Sequence, residues 1–236
     1  MRVATGDRQA PVPWTGRPRR VDLLCWGGMS LSGLYYFALV PLRPVLLATH
    51  PILLILAGGS TEALVAGGAY ASVGRASLAL VLAAAIPGLM KFDLLFWWAG
   101  RLWGPRVVDM LLGRMRPGRR SRFAGFRARF ARLGGPLVAV AVVVSPFLPV
   151  PTAAIFAVAG ARGMSALLFL LLDLVGELAW AGLLIGLGSA LGQRAVDVIG
   201  AISRYTLWIS LALAALIVAR VVWTTVRSSP RHPGDA

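Results

Sequence analysis

The chain has 236 residues, of which 58% are hydrophobic and 14% charged; soluble domains are charged at roughly a quarter of their positions. A single cysteine, Cys25, excludes an intrachain disulfide and a cysteine metal cluster, and leaves that residue as a small packing group. The 24 basic residues against nine acids give a net charge of +15, and because the arginines flank apolar runs they point to cytoplasmic loops and anionic lipid headgroups, not nucleic acid.

Residues 1–21 are rich in Pro and Arg and are expected to form a disordered cytoplasmic tail. Residues 22–226 are expected to form one membrane domain, with room for about four to six membrane segments. Leu23–Pro41 is long enough to span, and Pro41, Arg43 and Pro44 interrupt it. Val45–Tyr70 is split by Gly58, Gly59, Ser60, Thr61 and Glu62. Each half falls short of the roughly 20 residues of a span and suits a re-entrant limb. Ala76–Trp98 follows, with Pro87, Lys91 and Asp93 inside it. Residues 101–135 read as a basic cytoplasmic loop, and Phe123, Phe126, Phe130 and Leu133 predict an amphipathic helix in the headgroup plane.

Leu137–Gly160 is apolar throughout, yet Pro146, Pro149 and Pro151 sit at its middle. Proline removes a backbone donor. Broken backbone at membrane depth is tolerated only where protein or a watery cavity covers it. The segment is therefore either a kinked span or a re-entrant hairpin of the sort that builds transporter sites. Met164–Leu191 and Tyr205–Trp223 read as spans, and 227–236 as a second disordered cytoplasmic tail. The pairs Gly182–Gly186 and Gly188–Gly192 predict close helix packing.

Charge bias places both tails and the 101–135 loop on the cytoplasmic side. Leu23–Pro41 then goes out and Ala76–Trp98 returns, so the split stretch between them enters and leaves on the outer side. By the same parity, the proline-broken segment enters and leaves on the inner side. The expected architecture is all-α and polytopic, with about four transmembrane helices plus two opposed re-entrant helical hairpins.

Acids inside apolar runs are the sharpest functional candidates, because each costs roughly 2.5–3.5 kcal/mol at the bilayer centre on insertion scales. Glu62 sits at the first break. Asp93 lies two residues from Lys91, which is expected to project to a different helix face, so the two are not an obvious pair. Asp173 and Glu177 are four apart and share a face, where two like charges favour a shared proton. Each could serve a proton-linked or headgroup-contacting site, or a structural ion pair or cap. No sequence pattern marks a catalytic, cofactor or metal site, and the chain is expected not to be an enzyme.

The stretch FLPVPTAAIFAVAG at Phe147–Gly160, with the long helix that follows it through Trp180 to Gly188, resembles the second half of the DedA family of VTT-domain membrane proteins. GLMKFDLLFWWAGRLWG at Gly88–Gly104 is similar to that family's glycine-spaced helix, with Asp93 at the acidic position and Gly100-Arg101 at the Gly-Arg ending. STEALVAGG at Ser60–Gly68 resembles the first hairpin, with Glu62 at its acidic position. The likeness covers about residues 45–192. It implies two opposed re-entrant hairpins and translocation of a lipid or lipid-linked phosphate, with proton linkage. Pro146 and Thr152 stand where the family places arginines, and Phe92 and Phe96 stand at two glycine positions.

The resulting expectation is a lipid translocase or scramblase in the cell membrane, with both termini cytoplasmic and membrane lipids, chiefly anionic, as partners. Glu62, Asp93, Lys91, Arg101, Asp173 and Glu177 are expected along the headgroup path. Gly58, Gly59, Pro146, Pro149, Pro151 and Thr152 are expected at the hairpin breaks. The competing readings are a non-transporting scaffold, such as a homo-oligomer packed through its glycine faces, and a proton-coupled small-solute transporter.

Overall fold

A computed structural model describes residues 12–14, 16–113, 134–203, 205, 208, 210–213 and 215–220. Among these residues the chain is all-helical. Three helical runs are long and apolar enough to cross a membrane: Arg20–Thr49, Leu78–Trp103 and Ala166–Leu191. The amphipathic helix expected over 123–133 lies outside the described residues, as does much of the expected span 205–223.

Helix α1 covers Arg20–Leu39 and passes through a 3-10 turn at Val40–Leu42 into α2, Arg43–Thr49. Pro41 and Pro44 each lack an N–H. The backbone tightens there instead of stopping, and the Arg43 N–H donates to the Val40 carbonyl. The interruption expected at Pro41 is thus a local overwinding within a 30-residue helical run.

The first hairpin is α3, Pro51–Gly58, and α4, Thr61–Ser72. Gly59 breaks it with φ +55°, and a Cβ there would press on the Gly88 carbonyl at 2.8 Å. At about 1.5 Å per residue the limbs are roughly 12 and 18 Å long. Neither matches a hydrocarbon core of about 30 Å. The Tyr35 hydroxyl donates to the Ala57 carbonyl at 2.8 Å, covering one acceptor that the end of α3 leaves open.

Helix α5, Leu78–Met90, contains Pro87. Residues 91 and 92 then form a turn, and α6 runs over Asp93–Trp103. The expected continuous helix is therefore interrupted at Lys91, and Asp93 becomes the first residue of a new helix. Residues 101–103 complete α6, and 105–113 form α7, Pro105–Gly113. The opening of the expected basic loop is therefore helical.

The second hairpin is α8, Gly135–Val144, then a 3-10 turn at Ser145–Phe147 and α9, Thr152–Ala161. Both limbs are about 15 Å long. Helix α10, Ala166–Leu191, is continuous, and α11 covers Gln193–Ser203.

The chain divides into two compact units. The first comprises residues up to Gly33 together with Met90–Gly182. Its core forms where α6 and α9 pack on each other. Gly100 meets the Ala157 carbonyl and Gly160 meets the Trp97 carbonyl, so the two backbones touch where no side chain intervenes. Phe156, Phe169, Ile155 and Val142 fill the adjoining layer. Part of the expected disordered tail belongs to this unit. Pro13 is buried, and Trp14 packs on Trp26 and Trp103 with ring centroids 5.8 and 6.2 Å away.

The second unit comprises Leu34–Leu89 and the residues from Leu183 onward. Here Gly88 meets the Ile55 carbonyl, Gly68 the Ile185 carbonyl and Gly188 the Val65 carbonyl. Gly188 thus packs as its spacing predicts. Gly182 and Gly186 do not, since no described atom lies within 4 Å of a Cβ at either position.

Candidate functional site

Helix α10 has almost no polar side chains along its apolar length, and two of the exceptions are Asp173 and Glu177. Their spacing puts both on one face. In the first unit that face meets Asp93, the first residue of α6 after the turn at 91–92. One carboxylate oxygen from each of Asp93, Asp173 and Glu177 lies within 4.8 Å of the other two. Asp173 is 1% exposed and Glu177 8%.

The hairpin break docks beside this trio. The Val143 carbonyl seats on Gly176, and the Phe147 ring packs edge-on against Trp180 at 5.2 Å. Glu177 lies between these two α10 positions. Ser145, inside the break, is fully buried. Helix α10 can receive a bare backbone here because Gly176 has no side chain. Pro146, Pro149 and Pro151 hold the chain away from helix between Ser145 and Thr152, the first residue of α9.

Polar satisfaction at the site is poor. Among the described residues, both Asp173 oxygens, Oε2 of Glu177, Oδ2 of Asp93 and Oγ of Ser145 are buried with no hydrogen-bond partner while the carboxyls are unprotonated; a proton on Asp93 or Asp173 lets one of these two carboxyls bond the other. Buried acceptors are normally paired. Two unit charges about 4–5 Å apart repel by roughly 3–4 kcal/mol even at an effective dielectric near 20. Three bare carboxylates packed this closely would therefore be self-repelling. The arrangement is suited to holding protons or a cation, and an ionised phosphate would be repelled from it. Hard oxygen ligands of this kind suit Mg²⁺, Ca²⁺ or Mn²⁺ best among metals. One positive side chain answers them in part, because Lys91 attracts Asp93. Its Nζ also lies 5.9 Å from the Phe92 ring centroid.

The other sequence candidates stand elsewhere. Glu62 belongs to the second unit, in the first turn of α4, with Arg43 Nη1 at 3.8 Å from its Oε1. Glu62 therefore has the surroundings of a structural ion pair. Arg101 is exposed in the last turn of α6, roughly 12 Å along the helix from Asp93. Its Nη1 lies over the turn at Gly163, and it does not join the trio.

In the sequence, Asp93 and the Asp173–Glu177 pair are separate features. The turn at Lys91-Phe92 comes just before Asp93, and the sequence signals nearest to it are Pro87 and Gly88 in the last turn of α5. A usable signal was the scarcity of acids, since three isolated carboxyls in apolar helices are best accommodated together. The packed Trp14 was also missed, although a tryptophan in an Arg- and Pro-rich tail is an invitation to look for an interface.

No protein-family model, curated protein or solved structure matches the chain.

Proposed function

We propose that this protein is a polytopic membrane transporter of DedA-like architecture that moves a lipid or lipid-linked phosphate between leaflets. The observation that carries the reading is the Asp93–Asp173–Glu177 trio, half-buried at Asp93 and buried at the other two, beside a broken hairpin. Carboxyls inside apolar helices usually mark an ion or proton path. Broken helices at membrane depth usually line a transport site.

In this reading the four half-length limbs are two re-entrant hairpins, one from each face. A fourth span over 205–223 returns the C-terminus to the cytoplasmic side of the cell membrane. The trio is the coupling site. It exchanges protons while the lipid headgroup passes on a separate track, because a phosphate is repelled by carboxylates. Lys91 balances part of the trio's charge. Loss of the family's arginines at Pro146 and Thr152 leaves the second hairpin to shape the cavity and not to grip phosphate.

The trio also gives weight to a second reading, a proton-coupled carrier of a small solute. The two differ in what moves. The deciding experiment reconstitutes the full chain in liposomes with fluorescent phosphatidylglycerol in the inner leaflet and a reductant outside. Faster loss of protected fluorescence than in empty liposomes, altered by an imposed pH gradient, is the expected result. A rate equal to that of empty liposomes with and without the gradient would remove lipid translocation and favour the solute carrier.

A further inference from the structure

The first unit contains a second polar feature, remote in character from the acid trio. A cavity of about 250 Å³ opens where α1 begins and α6 ends, lined by Pro13, Trp14, Arg17, Arg19, Asp22 and Arg106 among others. We infer that this cavity is a seat for the phosphate of an anionic membrane lipid. The inference rests on the reading of α1 and α5–α6 as membrane spans.

Position supports it first. Two of the candidate spans, Arg20–Thr49 and Leu78–Trp103, terminate at this cavity. In a bilayer such a place lies at headgroup depth. Trp14, Trp26 and Trp103 form one cluster there, with centroids 5.8, 6.2 and 6.3 Å apart. Indoles collect at this depth because the ring is apolar and the N–H is not.

Charge supports it next. Among the described residues, three arginines and one acid, Asp22, line the cavity. That acid is already engaged. Its Oδ1 accepts from Trp103 Nε1 at 2.8 Å and its Oδ2 from the Arg19 backbone N–H at 2.9 Å. Asp22 thus braces the wall. Guanidinium groups match phosphate geometry with paired donors. Apolar surface then selects a lipid over free phosphate. Val21 lines the cavity and is 41% exposed, and Leu24, one turn onward in α1, is 66% exposed. A headgroup in the cavity would lay its acyl chain along that face.

The test is binding, not transport, so the translocase reading and this one can fail separately. The purified full chain in neutral detergent is titrated with phosphatidylglycerol, phosphatidylcholine or inorganic phosphate, and the thermal unfolding midpoint is followed. Phosphatidylglycerol should raise the midpoint saturably, and the other two should not. R17Q/R106Q should weaken that apparent affinity by about tenfold or more, with partial recovery in R17K/R106K. Arg17 precedes α1, so R17Q alone gives a weaker version of the same result should the double variant fold poorly. Equal affinity in native protein and R17Q/R106Q would overturn the proposal. So would equal stabilisation by phosphatidylcholine, or by inorganic phosphate, which would mark a free-anion site.

Discussion

Asp173 concentrates the chemistry of this chain in one side chain. It is 1% exposed, and among the described residues its carboxylate oxygens have no donor unless it shares a proton with the Asp93 carboxyl. Evolution of a merely packed helix would favour leucine at such a position, since an unpartnered buried polar group costs about 1–3 kcal/mol. Asp173→Asn keeps the volume, removes the ionisable group and adds an N–H donor whose bond Asp93 or Glu177 can accept. Thermal stability in detergent is therefore expected to stay level or rise by about 1 kcal/mol. The response of lipid movement to a pH gradient is expected to fall about tenfold or more. A variant that keeps the full gradient response would take Asp173 out of the coupling step. Glu62→Ala makes the contrast. Its partner Arg43 is 3.8 Å away and both side chains are more than a third exposed. Such pairs contribute about 0–1 kcal/mol, so unfolding midpoints of the variant and native protein should nearly coincide.

At the scale of elements, backbone-to-backbone contact organises each unit. In the first, α6 and α9 touch through Gly100 and Gly160. A Cβ at Gly100 overlaps the Ala157 carbonyl, so Gly100→Val must push α9 aside. Overpacking of this kind costs about 1–3 kcal/mol, and a markedly lowered unfolding midpoint is expected. Gly182→Ala is the matched control, because no described atom lies within 4 Å of its Cβ. It should be neutral or stabilising by about 0.5–1 kcal/mol from helix propensity. An equal loss in both variants would show that Gly182 faces a partner, as in an oligomer. These elements also show what the sequence disclosed. The break at Gly58–Gly59 was legible because two adjacent glycines interrupt an apolar run, and that at Pro146–Pro151 because three prolines cannot continue one. The turn at Lys91-Phe92 was not legible, since neither residue disfavours helix strongly. Asp93 comes just after that turn, and the acid trio stayed hidden with it. Gly182–Gly186 looked like Gly188–Gly192 in spacing, and only the neighbouring helices distinguish them.

For the whole molecule, limb length bears directly on how many times a chain with three helices long and apolar enough to cross a membrane would cross it. Limbs α3, α4, α8 and α9 have 8, 12, 10 and 10 residues. At about 1.5 Å per residue none reaches across roughly 30 Å of hydrocarbon. A hairpin α8–α9 that enters and leaves on one side keeps α10 starting from the cytoplasmic face. The C-terminal arginines, Arg220, Arg227 and Arg231, then end inside, as the positive-inside rule favours. If the α8–α9 pair crossed instead, those arginines would end outside while the basic 114–132 stretch stayed inside. Single cysteines at Ser121 and Ser229 in a Cys25→Ser background separate the two arrangements. Cys25 is buried, and serine keeps its size, so the background should insert normally. Both engineered thiols are expected to resist a membrane-impermeant maleimide in intact cells and to react once the membrane is opened. Labelling at position 229 alone, from outside, would mean that 137–160 crosses the membrane. The two-hairpin architecture would then be lost. The acid trio would remain, but in a five-span protein whose proline-broken segment is a kinked helix packed against Gly176.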